Sequence, residues 1–448
     1  MAFLLIVACD CSDVVATRCV DDTDCDGACV GGRCELPDAA RDVAFDAPDG
    51  DTNFCLGTGP LIVVGDTATT CLGRVAERSF RYAICTCDGV VTSAEVRTDS
   101  FDSRRGSYMP PGEAGGSLGT NADLNASAPW SIGGSFWSSG PNGWTSDARL
   151  EVAGDLRLQG RLAGDVVEVG RNAFVGGGVQ AGDLRVDGVL TVPTGETIRA
   201  ERSEVIGETV REPVEIPRPC ACEDRVDITS FVAAHRDDND NAAIELGADA
   251  LVNVSSSDRL ELPCGRYYLS QITGDVPVVI RATGRVALFV DGDISVRDLR
   301  LELGDEAELD ILVVGNVTAD ALGLGDVSTP ARVRMYVDGT GTINLSADSV
   351  FAGNLYAPRA ELVTRGPAEV FGALFVERIN ASGPLDVHFD TGVLGSGDRC
   401  EPPPDCESCG DCPSIQACVD GSCGECRTDA DCCAPLLCVE GACLPSLI

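Results

Sequence analysis

A chain of 448 residues with 71 acidic and 33 basic side chains, and so a formal charge of −38, has no basic face for nucleic acid or an anionic membrane. Every one of the 33 basic residues is arginine, which removes Schiff-base chemistry and the phosphate-loop lysine. Its 51 glycines, abundant Asp and 5% aromatic content suit a turn-rich all-β protein, and its 24 cysteines point to an oxidising compartment.

The cysteines are unevenly placed: six precede residue 35, eleven lie between 400 and 443, and seven occupy the long middle. Disulfide-rich modules are therefore expected over 9–36 and 397–448, around a middle that relies on packing. The first module would bond through Cys19, Cys25, Cys29 and Cys34. The second would use Cys412, Cys418, Cys423, Cys426, Cys432, Cys433, Cys438 and Cys443. An Asp-x-Asp-Cys fragment recurs at Asp22–Cys25 and Asp429–Cys432, which suggests one module type at both ends. Pairing within a module does not follow from spacing.

Residues 1–8 read as a partial leader, and Ile6-Val7-Ala8-Cys9 resembles a bacterial lipobox, which would place a lipid on Cys9. Cys9 is otherwise an ordinary disulfide cysteine. No stretch approaches the ~20 apolar residues of a membrane span, so contact with a membrane is expected only through that lipid. An acidic linker follows over 37–54.

Two β-helical regions are expected, over 55–219 and 220–396. In the first, Trp130, Trp137 and Trp144 lie in a Gly/Ser-rich stretch, either as a sugar platform or as a cover for the open end of a solenoid. Between Gly154 and Gly188 a glycine recurs mostly every six residues, with period-two apolar pairs such as Leu156/Leu158 and Leu184/Val186. That pattern resembles the short turns of a parallel β-helix and argues against an amphipathic helix. One inserted helix is expected over 227–238, with Asp227 as its cap and Ile228, Phe231, Val232 and His235 on one face. It would lie across the sheet or cap a coil. Cys264 is placed to pair with Cys220 or Cys222.

From 287 to 390 apolar blades recur near every twenty residues, anchored at Val290, Val314, Val337, Tyr356 and Val376. Such a period is that of a solenoid whose repeats bury their apolar faces by stacking. The expected fold is an all-β, right-handed parallel β-helix with small disulfide-rich terminal modules.

Pro219-Cys220-Ala221-Cys222, Asn239-Asp240-Asn241-Ala242-Ala243 and Leu262-Pro263-Cys264-Gly265-Arg266 carry a family resemblance. Gly353-Asn354-Leu355-Tyr356-Ala357-Pro358, Phe371-Gly372-Ala373 and Val387-His388-Phe389-Asp390 extend it. Over roughly 55–392 the chain resembles uncharacterised exported proteins of myxobacteria-like and pilus-bearing bacteria. The resemblance implies a right-handed parallel β-helix of the kind found in pilus-associated and surface-adhesive proteins, and it carries no catalytic residues. The glycine-repeat section also resembles bactofilin-type polymer-forming β-helices.

Asp386, His388 and Asp390 alternate along one strand, as a divalent-metal site, an acid/base group or a polar final rung would. Asp237, Asn239 and Asn241 alternate like the first oxygens of a calcium loop, but Ala242 and Ala248 stand where an EF-hand needs Gly and Glu. No cofactor is expected, with calcium the one ion that the acidic loops leave open. The functional expectation is a secreted or lipid-anchored surface scaffold of structural or adhesive type, with no catalysis, that meets a polysaccharide or protein partner. Self-association is open, although dense negative charge opposes end-to-end stacking. A polysaccharide lyase or hydrolase on the same fold is the alternative.

Overall fold

The computed structural model describes residues 28–30, 33–35, 52–55, 62–64, 68–346 and 350–400, with parts of 412–445. The chain divides into two units, Met1–Gly50 and Asp51–Ile448. In the first, the described part is one antiparallel hairpin, Ala28–Val30 with Arg33–Glu35, in which Cys29 faces Cys34. Cys9, Cys19 and Cys25 lie outside the described residues.

In the second unit the chain winds into a parallel β-solenoid of about 13 turns. Inward residues alternate with outward ones because a strand's side chains have a period of two. Leu156/Leu158, Ala173/Val175 and Leu190/Val192 stack in register inside it, each pair above the last. Glycine serves at the corners, where successive coils touch. A Cβ on Gly170 would lie 2.5 Å from the carbonyl oxygen of Ala153 one coil away. In the second half of the stack the rung-mate of Val290 is Val313, not Val314. Tyr356 pairs with Phe375, not Val376, so the blade anchors read from sequence mix inward and outward positions.

The order of coils in space is not their order in sequence. The coil that begins the solenoid, with strands Ile84–Thr86, Val90–Thr92 and Val96–Phe101, does not lie at an end. It stacks on the last one, pairing in parallel with Ala368–Ala381 and Leu385–Asp390. From this seam the chain runs outward to Ile198–Val205 and Thr209–Arg211 at one end. A strap over 212–257 then travels back along one face, and the coils from Asp258–Leu262 onward return to the seam.

Disulfides hold the strap to the stack. Cys85 bonds Cys220, Cys87 bonds Cys222, and Cys55, in the short helix α1 (Thr52–Cys55), bonds Cys264. The expected bond between Cys264 and Cys220 or Cys222 is therefore corrected. Cys220 and Cys222 meet the first coil as the strap passes it, whereas Cys264 lies in a coil on the far side of the seam. Cys71, Cys412 and Cys433 are also disulfide-bonded.

Two helices lie on the covered side. Helix α2 (Leu72–Ser79), not foreseen in the sequence, buries Leu72 and Ala76 and packs on the 3-10 segment Thr391–Cys400. Helix α3 (Ile228–Ala234) lies across Arg285–Val290 and Glu308–Val313, with Ile228, Phe231 and Val232 buried. It stops before 238 because the Asn239 side-chain amide donates to the carbonyls of His235 and Arg236. Beneath this cover both sides of a strand are buried: all six residues of Glu308–Val313 are, whereas Leu156–Leu158 alternates. The unbroken apolar blades follow from that double burial.

The two ends differ. Asn241 accepts from the N–H of Tyr268 at 2.9 Å and donates to its carbonyl at 2.7 Å, standing in for a further strand. At the other end Ile198–Val205 pairs on one side only among the described residues, and Ser203 and Thr209 occupy the rungs of Leu184 and Leu190. That polar last coil is the solenoid's own terminal cap.

The C-terminal module contains two hairpins, with Cys418 opposite Cys423 and Cys438 opposite Cys443. Its bonds run Cys426–Cys438 and Cys432–Cys443. Facing cysteines in one hairpin thus bond to the preceding chain, not to each other.

Replacing Cys220 and Cys222 by Ser removes two links that each span 135 residues. Chain entropy assigns roughly 3–5 kcal/mol to one such link, so a lower unfolding midpoint in guanidinium is expected, together with proteolytic cleavage within 212–227 of the still-folded protein. An unchanged midpoint and an uncut strap would show that packing alone holds it.

Candidate functional site

The most chemically suggestive group lies on the seam. His388 projects from Leu385–Asp390 beside Asp99 of the first coil, its rung-mate across the junction. Its Nδ1 is 2.7 Å from Asp99 Oδ1 and its Nε2 is 3.3 Å from Glu369 Oε1. The Tyr108 hydroxyl donates to the other Asp99 oxygen at 2.7 Å. Tyr108 also packs on the imidazole at a tilt of 35°, with ring centroids 4.1 Å apart, and Phe371 flanks it at 4.9 Å. Tyr108 comes from the loop that follows Val96–Phe101, so the site draws on both sides of the seam.

Burial works against a charge on this ring, but the hydrogen bond and charge of Asp99, with Glu369, outweigh it and hold the His388 pKa above its ordinary value. With a carboxylate at each nitrogen, the imidazolium donates twice and has no lone pair for base catalysis. Burial also raises the carboxyl of Asp386, which faces the same side, against the opposing pull of Arg97 and His388. The geometry is that of a charged clasp between two coils.

Asp390 does not join this group. It is fully buried and accepts from the backbone N–H groups of Ser103, Ala331 and Gly392, each at 2.9 Å. Neither does the strand form a final rung, because the first coil stacks on it. The expected set of Asp386, His388 and Asp390 is thus split: two face outward at the seam, and the third ties loops together.

Of the calcium-loop residues Asp237, Asn239 and Asn241, two use their side-chain oxygens within the protein. Asn239 Oδ1 accepts from the Asn241 N–H, and the Asn241 oxygen is taken by Tyr268. Among the described residues, one group of three His, Cys, Asp or Glu side chains has its ligand atoms within 4.8 Å of one another: Cys426, Cys432 and Cys443. Those thiols are consumed in disulfides.

The tryptophans follow neither expectation. Trp130 and Trp144 are buried inside the coils with their centroids 5.1 Å apart, well away from either end. Trp137 faces outward, and the Arg157 guanidinium lies between it and Phe174, 4.7 and 4.5 Å from the two rings. His235 is buried, stacked 4.2 Å from Phe289, and its burial lowers its pKa.

One buried ionic group had no sequence signal. Arg334 is 1% exposed and grips Asp310 with two nitrogens, at 2.7 and 2.8 Å, while reaching Glu308 at 2.9 Å. Asp310 and Arg334 are rung-mates on the outward side of adjacent strands. They are charged because that side looks outward, and buried because the segment Thr391–Cys400 and α2 cover it.

Residues 209–394 match a family described as a domain of unknown function, DUF7305. The match takes in the strap, α3 and the coils that return to the seam. No curated protein and no solved structure matches the chain.

Two measurements test this account. His388 has a folded-state pKa above the unfolded value of about 6.5, so its contribution is complete below that pH and is lost as pH rises through the folded value. The stability gap between the native chain and His388→Gln, about 1.5–3 kcal/mol for a charge-assisted bond, is expected to narrow at alkaline pH. A gap that grows with pH would reverse the sign of the clasp. Asp310→Ala leaves the buried guanidinium with Glu308 as its one carboxylate partner and is expected to cost about 3–5 kcal/mol in denaturant unfolding.

Proposed function

We propose that this chain is a non-catalytic surface scaffold of a bacterial cell, exported through the membrane and held there by a lipid on Cys9 or released. Its disulfides support an oxidising, extracytoplasmic setting, and no described helix is long and apolar enough to cross a membrane. One observation carries the reading: the imidazole–carboxylate group, the best candidate for chemistry, is spent on joining two coils. The long stack, stapled to its strap at the first coil, offers a stiff body that displays its faces to a surface polysaccharide or a protein, as the likeness to exported adhesive proteins implies.

The alternative, a polysaccharide lyase or hydrolase, needs a titratable group free to move a proton. The oxidised full-length protein is expected to show no turnover on uronates and glucans, and to bind intact cells or wall fragments of its own source. Robust turnover that disappears in Glu369→Gln or His388→Gln, with the fold retained by circular dichroism, would overturn the scaffold reading.

A further inference from the structure

Between helix α2 and the strap a cleft of about 510 Å³ opens over the covered face. Its floor is the aromatic ladder of rung-mates Tyr356 and Phe375, which are 2% and 4% exposed. Arg78 and Arg81 line one side and Arg225 the other. In a chain of charge −38, where most described arginines have carboxylate partners, these three have no ion pair among the described residues. Asp224 and Asp227 line the cleft beside Arg225. The Tyr356 hydroxyl accepts from the Val226 N–H at 3.1 Å and keeps its proton to donate.

We infer that this cleft binds a carboxylated, hydroxyl-rich ligand, a hexuronate unit of an acidic polysaccharide, through Arg78, Arg81 and Arg225. Guanidinium groups grip a carboxylate with paired N–H donors, and three unpaired ones around a single opening supply that grip several times over. The two aspartates accept from sugar hydroxyls. They also repel a run of side-chain carboxylates, so a polyacidic peptide is disfavoured. The strands beneath are already paired on both sides, which leaves no edge for a peptide backbone to join. A volume of this order accepts a small ligand of a few rings. The inference does not depend on the scaffold reading, because binding without turnover and binding before turnover both need the same cleft.

The test is calorimetric titration of the oxidised full-length protein at low salt with trigalacturonate, its methyl ester and hexaglutamate. Trigalacturonate is expected to bind, with affinity falling as salt rises. The ester is expected to bind at least tenfold more weakly, and hexaglutamate more weakly than trigalacturonate. Arg78→Gln and Arg225→Gln are expected to lower the affinity fivefold or more each, while Arg365→Gln, on an exposed turn elsewhere, leaves it unchanged. If a glutamine variant lowers the melting midpoint, Arg225→Lys keeps the charge without the fork and is expected to fall between native and Gln. No binding at millimolar trigalacturonate, equal binding of the ester, tighter binding of hexaglutamate, or affinity retained in the double Arg78→Gln/Arg225→Gln variant would each overturn the inference.

Discussion

The pairing of Leu385–Asp390 with Val96–Phe101 is the constraint on which the rest of the molecule depends. An apolar solenoid coil needs a neighbour or a cap on each side. Here the first coil in sequence finds one neighbour only when the last has formed, nearly 290 residues later. The chain must therefore leave the seam, reach one end, return past its starting point and build the other half inward. Every covering element serves that route. The strap runs back along one face, its cysteines bond the first coil as it passes, and α3 lies over the strands that follow.

The cover changes what residues on that face experience. An outward position in an uncovered coil, such as Arg157, keeps partial contact with solvent and stacks on neighbouring rings. The corresponding side under the strap and α2 is largely buried, so apolar residues fill most of it and several of its polar groups pair. Arg334 with Asp310, Asn241 with Tyr268, and Asp390 with three backbone amides all answer the same requirement: a buried polar atom left alone costs about 1–3 kcal/mol. His388 at the seam follows the same rule at a half-covered site.

Legibility varied with how local the cause was. The glycines of 150–192 announced coil corners because close approach between successive coils repeats every few residues. Asp227 announced a helix start because its carboxylate caps Ser230 three residues on. Three hairpins share the fragment Cys-Val-x-Gly-x-Cys, at 29–34, 418–423 and 438–443, a signal available in the sequence beside the Asp-x-Asp-Cys likeness. Helix α2 was hidden, since its short buried stripe of Leu72 and Ala76 acquires meaning only against the segment Thr391–Cys400.

The sequence by itself determined the kind of object this is: an all-β solenoid with cysteine-rich ends, because period-two burial and glycine corners depend on residues within one coil of each other. Tertiary structure alone decided the order of the coils in space, the partners of Cys55, Cys85, Cys87 and Cys264, and the meaning of His388. A strand's alternation says which side chains point outward but not what will lie against them. In this protein, what lies against His388 is the first coil of its own solenoid.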